Sequence, residues 1–525
     1  MPHAEPESDA EPAGTKADEP PSPPPRGADR RGGGGGSGGR GHWGARWGVL
    51  RHPHFRIVCV AAFGSNLGTW LEHVGMQWVV ARTTGSMLWM SYLATAQLLP
   101  LLVLGLVGGL VTDRVNRRTL LVVTQACMLV IALGMAAVVL RLPSDLTAFA
   151  QKIAAGDPQA VALAGSTNGL LLALAAAQGV TMAFSAPAWQ VLTPRLVPRE
   201  ELTRAITLQG IQFNIARSVG PALGGVLIYQ AGAASLFIIN AVAFIGVMAA
   251  VLKTPDAPIP PEQRARWLDL RRAFDQTAEA IRWTCFERGP RAILLACVLF
   301  CILGTPIIRF LPLFVSEVYG EGSEAGREKV FGLLLAVQGV GCVAGGFALR
   351  WVPHWYPKHH LIPLSVMLGG VFILIFSLAD SAVLAAPFMF FVGVFWMWTF
   401  NSCMAAMQTL VPDALRGRAM AVLNTAAMGL MPIGNYLASA IGALGQRAVL
   451  HTNPELWSSG LGTQIGVGAL ALILVATGVV MTIWRTPEVD GPGPVARRAG
   501  FFRGITAANH RPATPGAPPR PADAP

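Results

Sequence analysis

Twelve long apolar runs decide most of what this chain can become. They lie near residues 55–80, 88–111, 119–140, 168–190, 204–229, 233–252, 292–318, 329–350, 361–379, 383–407, 417–442 and 461–484. A hydrocarbon core of roughly 30 Å is crossed by about 20 helical residues, so each run is long enough to span a bilayer as one helix. The expected fold is an all-α membrane protein with twelve transmembrane helices. Only 13% of the 525 residues are charged, against roughly 25% in soluble domains, which agrees with lipid as the main solvent.

An even number of spans leaves both termini on one side, and the distribution of cations says which side. The even-numbered loops carry Arg114, Arg117, Arg118, Arg195, Arg199, Arg204, Arg350, Lys358, Arg416 and Arg418. The middle segment adds Lys253, Arg264, Arg266, Arg271, Arg272, Arg282 and Arg288, for seventeen cations. The odd-numbered loops hold six, Arg82, Arg141, Lys152, Arg327, Lys329 and Arg447. Both termini are therefore expected in the cytoplasm, in a multi-pass protein of the cytoplasmic (inner) membrane. The formal charge of +11 is spread over short loops and tails, not gathered on one folded face. That pattern favours anionic lipid headgroups as partners over nucleic acid.

The stretch at 1–47 is rich in Pro, Gly and charge, including PPSPPP and RRGGGGGSGGRG, and cannot bury enough apolar surface to fold. It reads as a disordered cytoplasmic tail, as does 486–525. No apolar run begins before Phe55, so no signal peptide is expected. Between the two sets of six runs, residues 253–290 read as a cytoplasmic linker. Within it Trp267, Leu270, Phe274, Ala278, Ile281 and Cys285 recur at helical spacing, the pattern of an amphipathic helix lying on a lipid surface. A calmodulin-type target helix would look similar.

The two sets, at 55–252 and 291–485, align on each other. Gly108-Gly109 recurs as Gly345-Gly346, a shift of 237, and Val197-Pro198 recurs as Val411-Pro412, a shift of 214. The change of 23 residues matches the polar stretch at 142–167, which only the first set carries. A parallel repeat of two six-helix halves is expected, with a substrate site near the bilayer midplane at their interface.

Catalytic and cofactor signatures are missing. There is no G-x-x-x-x-G-K-[ST] phosphate loop, and GGGGGSGG lies in the tail with no strand before it. The seven cysteines, Cys59, Cys127, Cys285, Cys297, Cys301, Cys342 and Cys403, show no CxxC spacing and read as packing residues. His354, His359 and His360 fall in one cytoplasmic loop and read as solvated groups. No metal, no cofactor and no enzyme activity are expected, and a monomer suffices.

What remains is polarity inside the apolar runs, where ionisable groups are costly and face a cavity or one another. Asn66, Trp70, His73 and Gln77 share one helical stripe of the first run, and Ser65, Thr69 and Glu72 the next. A polar sector at least 100° wide argues for a cavity wall. Gln209, Gln212, Asn214 and Arg217 mark the fifth run, Arg309 lies between Pro306 and Pro312 in the seventh, and Asn401 and Asn424 mark the tenth and eleventh. Trp396 and Trp398 read as packing or pocket walls. The shift of 237 also superposes Glu72 on Arg309. Each sits about seventeen residues into its run, roughly 25 Å along a helix, so the two opposite charges are expected at one depth and paired across the cavity.

The unit Gly220-Pro221-Ala222-Leu223-Gly224-Gly225 follows a charged loop and sits inside an apolar run, where a bend and a close helix contact are expected. It resembles the fifth membrane helix of the major facilitator superfamily, whose exporter branch carries G-P-x-x-G-G. Gly105, Gly109, Asp113, Arg114, Arg117 and Arg118, in GLVGGLVTDRVNRR, resemble the superfamily's loop between helices 2 and 3. Leu196 to Leu202 with Asn214-Ile215-Ala216-Arg217, and Gln408 to Asp413 with Arg416-Gly417-Arg418, resemble its enterobactin-exporter-like, transmembrane secretion effector branch.

The resemblance implies a secondary transporter that exports a small organic molecule, a siderophore, drug or metabolite, in exchange for protons. An importer on the same fold is the alternative, ahead of a polytopic enzyme or a receptor. It also implies that Gly109, Asp113, Arg114, Arg117 and Arg118 form a charged gating latch, and that Gly220, Pro221, Gly224 and Gly225 serve conformational change. One departure matters. Many proton-driven exporters carry an Arg in the fourth helix, but residues 168–190 hold no charge; Glu72, His73 and Arg309 are the proton-coupling candidates, with Arg217 a further possibility.

Overall fold

The computed structural model describes residues 48–112, 115–255, 270–319, 323–353, 356–412, 415–452, 460–484 and 486–490. Most of both tails, Asp113, Arg114, Trp267, His354 and Asp413 lie outside the described residues. The main helices are α1 Pro53–Thr84, α2 Met87–Thr112, α3 Arg117–Val139, α4 Leu146–Ala154, α5 Pro158–Leu196, α6 Leu202–Ala231, α7 Ala234–Leu252, α8 Leu270–Phe286, α9 Arg288–Gly304, α10 Glu324–Ala348, α11 Lys358–Ser377, α12 Ala382–Leu410, α13 Arg416–Gly429, α14 Met431–Thr452 and α15 Leu461–Ile483. Among the described residues, every regular element is helical.

All twelve apolar runs are helical. Ten helical segments among the described residues are long and apolar enough to cross a membrane. The two expected spans that fall short are α1 and α6, which are long enough at 32 and 30 residues but carry the polar residues singled out above. Their mean hydropathy is lowered by Asn66, Glu72, His73 and Gln77 in one and by Gln209, Gln212, Asn214 and Arg217 in the other.

Packing repeats between the two sets of helices. In the first, α1 packs on α6 and α7, α2 on α5, and α3 on α5 and α7; in the second, α9 packs on α14 and α15, α10 on α12, and α11 on α12 and α15. Replacing each helix by its counterpart six spans later turns the first list into the second. Gly179 and Gly393, separated by the same 214 residues as the Val-Pro pairs, show why. A Cβ on Gly179 would lie 2.5 Å from the Gln97 carbonyl oxygen, and one on Gly393 would lie 2.2 Å from that of Gln338. Each helix pair, α2 with α5 and α10 with α12, is drawn together at a backbone contact that only glycine allows.

Two elements differ from expectation. The stretch at 142–167 is not a polar loop: Asp145 caps α4 by accepting from the Thr147 and Ala148 amides at 2.9 and 3.0 Å, Leu146 and Phe149 bury themselves in the core, and α5 starts ten residues earlier than its apolar run. The seventh run is broken after Gly304 into short helical turns and a π-turn at Phe314–Val318. Pro306 lacks the amide that would bond the Ile302 carbonyl four residues back, and Gly434 of α14 takes up that face, where a Cβ would lie 1.7 Å from the Ile302 oxygen. The linker helix α8 packs on α9 and α13 with Ala280 and Thr284 buried, while Ile281 and Phe286 stay exposed.

Candidate functional site

The stripe on α1 faces the space between the two sets. Asn66, Trp70, His73 and Gln77 are all half-buried, whereas Gly68, Glu72 and Gly75, roughly a third of a turn away, are buried. Glu72 accepts hydrogen bonds from the Gln178 and Asn240 side-chain amides, on α5 and α7. Gly68 makes room for this, since a Cβ there would lie 2.3 Å from the Asn240 Oδ1. The expected Glu72–Arg309 pair is therefore not formed. Glu72 turns into its own helical set, and Arg309 instead donates from Nη1 to the Gln97 Oε1 of α2 at 3.4 Å. The alignment of the two sets contained no information about the direction of the Glu72 side chain.

Arg217 sits at the centre of an aromatic enclosure. Its guanidinium carbon lies 4.9 Å from the Phe400 ring centre, 5.3 Å from that of Trp396 and 5.9 Å from that of Trp70. Trp70 meets His73 edge-to-face at 5.6 Å, and His73 lies within electrostatic range of Arg309. The buried thiols of Cys297, Cys301 and Cys342 also lie within electrostatic range of Arg217. Among the described residues, no carboxylate lies within ion-pair distance of Arg217 or Arg309. Both keep part of their surface accessible, as do Trp70, His73 and Phe400, so they border a gap that the packing of the two sets leaves partly open.

The Gly220-Pro221 unit explains how Trp70 reaches Arg217. α6 runs unbroken through Pro221, and its glycine side lies on α1: a Cβ on Gly220 would be 2.6 Å from the Trp70 Cβ, and one on Gly224 would be 3.1 Å from Val74 Cγ1. Gly225 faces the other set, where its Cβ would lie 2.0 Å from the Gly332 Cα of α10.

The remaining candidates scatter. Gln212 is buried and accepts from the Cys59 thiol at 3.4 Å. Asn214 and Asn424 donate to carbonyls of their own helices, and Asn401 to the Met397 sulfur. Of the latch residues, Arg118 bonds the Leu252 carbonyl within its own set, and the buried Arg117 Nε has no hydrogen-bond partner among the described residues; Gly109 lies in α2.

The two ends of the bundle differ. At the end where α1 finishes, polar contacts bridge the sets: Arg82 with Glu324, the Ser91 and Ser439 hydroxyls at 3.2 Å, and Thr95 donating to the Tyr436 hydroxyl at 3.0 Å. Among the described residues, the ion pairs at the end where α1 begins are Arg51 and His52 with Glu201, and Arg288 with Glu488 at 3.9 Å, each within one set.

Two matching six-helix sets, bridged by polar contacts at the end where α1 finishes, can be compared with known proteins. A family model described as transmembrane secretion effector matches residues 44–477. The chain belongs to that family. It is 22% identical over 374 residues to the staphyloferrin A transporter of Staphylococcus aureus, covering 71% of this chain and 85% of that one. It is 25% identical over 405 residues to the multidrug efflux pump Tap of Mycolicibacterium fortuitum, covering 75% and 90%. Among solved structures, a bacterial homologue of the human lysosomal transporter Spinster, inward-facing and unoccupied, matches with a TM-score of 0.62 at 13% identity over 84% of this chain and 99% of that one. The inward-open xylose transporter XylE of E. coli matches with 0.53 at 13% over 82% and 95%. The chain is thus a multi-pass membrane protein with the fold of major facilitator transporters.

Sequence reasoning missed three groups of this family member's site. Gln97, Phe400 and the Arg82–Glu324 contact were not singled out. Phe400 lies one helical turn after Trp396, and that spacing was the available signal. Nothing local links Arg82 to a partner 242 residues away.

Proposed function

We propose that this chain is a secondary transporter of the cytoplasmic membrane that exports a small organic molecule from the cytoplasm in exchange for protons. The observation that carries this reading is the cleft around Arg217, bridged by polar contacts at the end where α1 finishes and lined by the α1 stripe below them. With twelve crossings, the cation bias of the loops favours the cytoplasm for the end where α1 begins and for both termini. A substrate entering from the cytoplasm would meet Trp70, Arg217 and Arg309, and leave when the bridged end parts. The relatives named for staphyloferrin A and for multidrug efflux support a small organic cargo. His73, half-buried in the cleft beside Arg309, is the group placed to exchange protons with both cleft and substrate.

Inside-out vesicles test this. When a pH gradient is held across vesicles containing the protein and read by acridine fluorescence, a transported siderophore, dye or antibiotic dissipates part of it, and Arg217→Ala abolishes that effect. Uptake of these compounds with no effect on the gradient contradicts proton exchange; no uptake of any contradicts export.

A further inference from the structure

We infer that the cleft selects substrates that carry two negative charges on a flat, apolar body, with Arg217 and Arg309 each taking one charge. This rests on the transporter reading and narrows it to a substrate class. A cation held within a membrane protein is costly unless compensated, and these two have no carboxylate partner among the described residues. The acids that might have served are committed elsewhere: Glu72 to Gln178 and Asn240, Glu324 to Arg82, and Glu317 to Thr463. The rings of Trp70, Trp396 and Phe400 around Arg217 stabilise its charge without neutralising it, and Gln97 offers Arg309 only an amide oxygen. The missing counter-charge is therefore supplied by what enters. A planar guanidinium presents a fork that matches a carboxylate or other flat oxyanion, and the three rings provide stacking surface for the rest of the molecule.

The two cations come from opposite sets, Arg217 from α6 and Arg309 from the broken seventh run. A dianion would engage both sets at once, whereas a monoanion would engage one. Binding of the dianion thus favours the arrangement in which the sets draw together around it, which ties recognition to the conformational change that a transporter needs.

The test uses the full-length protein in lipid nanodiscs and four probes that share one ring system: naphthalene-2,6-dicarboxylate, 2-naphthoate, the dimethyl ester of the diacid, and 2-naphthylmethylammonium. Binding is read by quenching of tryptophan fluorescence and by calorimetry. The expected order is dianion, then monoanion, then ester, with about a tenfold step for each carboxylate, the size typical of a charge-assisted hydrogen bond. Arg217→Gln and Arg309→Gln should each bring the dianion to the affinity of the monoanion and leave the ester unchanged, so that ester binding reports an intact cleft. Arg217→Lys, which keeps the charge but loses the fork, should fall between. The inference is overturned if the ester or the ammonium binds as tightly as the dianion, if Arg309→Gln leaves the dianion unaffected, or if the dianion shows no saturable binding at millimolar concentration. In proteoliposomes, preferential movement of the ester or the ammonium refutes this inference and leaves transport standing. A dianion that binds in the expected order but is not moved refutes the transporter reading and supports the selectivity.

Discussion

Arg82 holds Glu324 with two of its nitrogens, Nε to Oε1 at 3.2 Å and Nη2 to Oε2 at 2.6 Å, joining the end of α1 to the start of α10. Both side chains are nearly buried, at 6% and 11% exposure. Thr147 of α4 completes the contact: its hydroxyl donates to Glu324 and accepts from Arg82 and Arg327, the latter two at 2.8 Å. The inserted helix of the first set thus acts as a clasp on a bond between the sets.

Loosening the clasp should expose this end. Glu324→Gln removes a charge-assisted contact worth roughly 2 kcal/mol, a shift of about 30-fold in a two-state equilibrium. In a chain whose seven cysteines are replaced, a cysteine at Ser91 should react correspondingly faster with an impermeant thiol reagent. Thr147→Val, equal in shape, should give a smaller rise in the same direction. Unchanged labelling in both variants would mean that the contact does not hold the sets together.

Gly225 and Gly332 meet backbone to backbone, so even a methyl group must push α6 off α10. Gly225→Ala is expected to lower stability by about 1–3 kcal/mol and to suppress transport. Gly220→Ala, which meets the Cβ and not the flexible end of Trp70, should do likewise. Gly210→Ala has nothing within 4 Å and is the neutral control. Thermal unfolding of the three variants in detergent, alongside transport rates, checks the ranking.

Glu72 and His73 are neighbours in sequence with different surroundings, and their variants should separate. Glu72→Gln replaces an acceptor oxygen with a donor facing two amides, so it should cost stability while leaving the pH dependence of transport in place. His73→Gln, which keeps a polar side chain but cannot take up a proton, should flatten that dependence. The opposite pattern would make Glu72 the proton carrier.

Orientation is open to a direct check. A reporter that fluoresces only in the cytoplasm should be bright when fused after Pro487 and dark when inserted at the Gly156 turn, where φ is +77°. Equal brightness would overturn the assignment from loop charges.

Much of this was legible in the sequence, and the part that was not has a common cause. Helix positions follow from apolar runs, and the cleft stripe follows from the 66, 70, 73, 77 spacing, because both depend on residues a few positions apart. The partners of Glu72 lie 106 and 168 residues away and that of Arg82 lies 242 away. Internal alignment put Glu72 and Arg309 at equivalent positions of the two runs but carried no information about rotation of a helix about its axis. Asn214, Asn401 and Asn424 were singled out for polarity, yet each spends its amide donor within its own helix, as polar residues do when lipid or an apolar neighbour offers nothing better. Helix α4 was hidden because its nine residues are too few to read as a span, and only its cap at Asp145 hinted at it.

The measurement that bears most directly on export is accumulation in cells with and without the protein, run with siderophores, dyes and antibiotics and repeated with Arg217→Gln at matched expression. The account predicts lower steady-state accumulation of at least one compound in cells that carry the protein, restored to the level of cells without it by the Arg217 variant. Equal accumulation of every compound, or lowered accumulation that survives loss of Arg217, would contradict it.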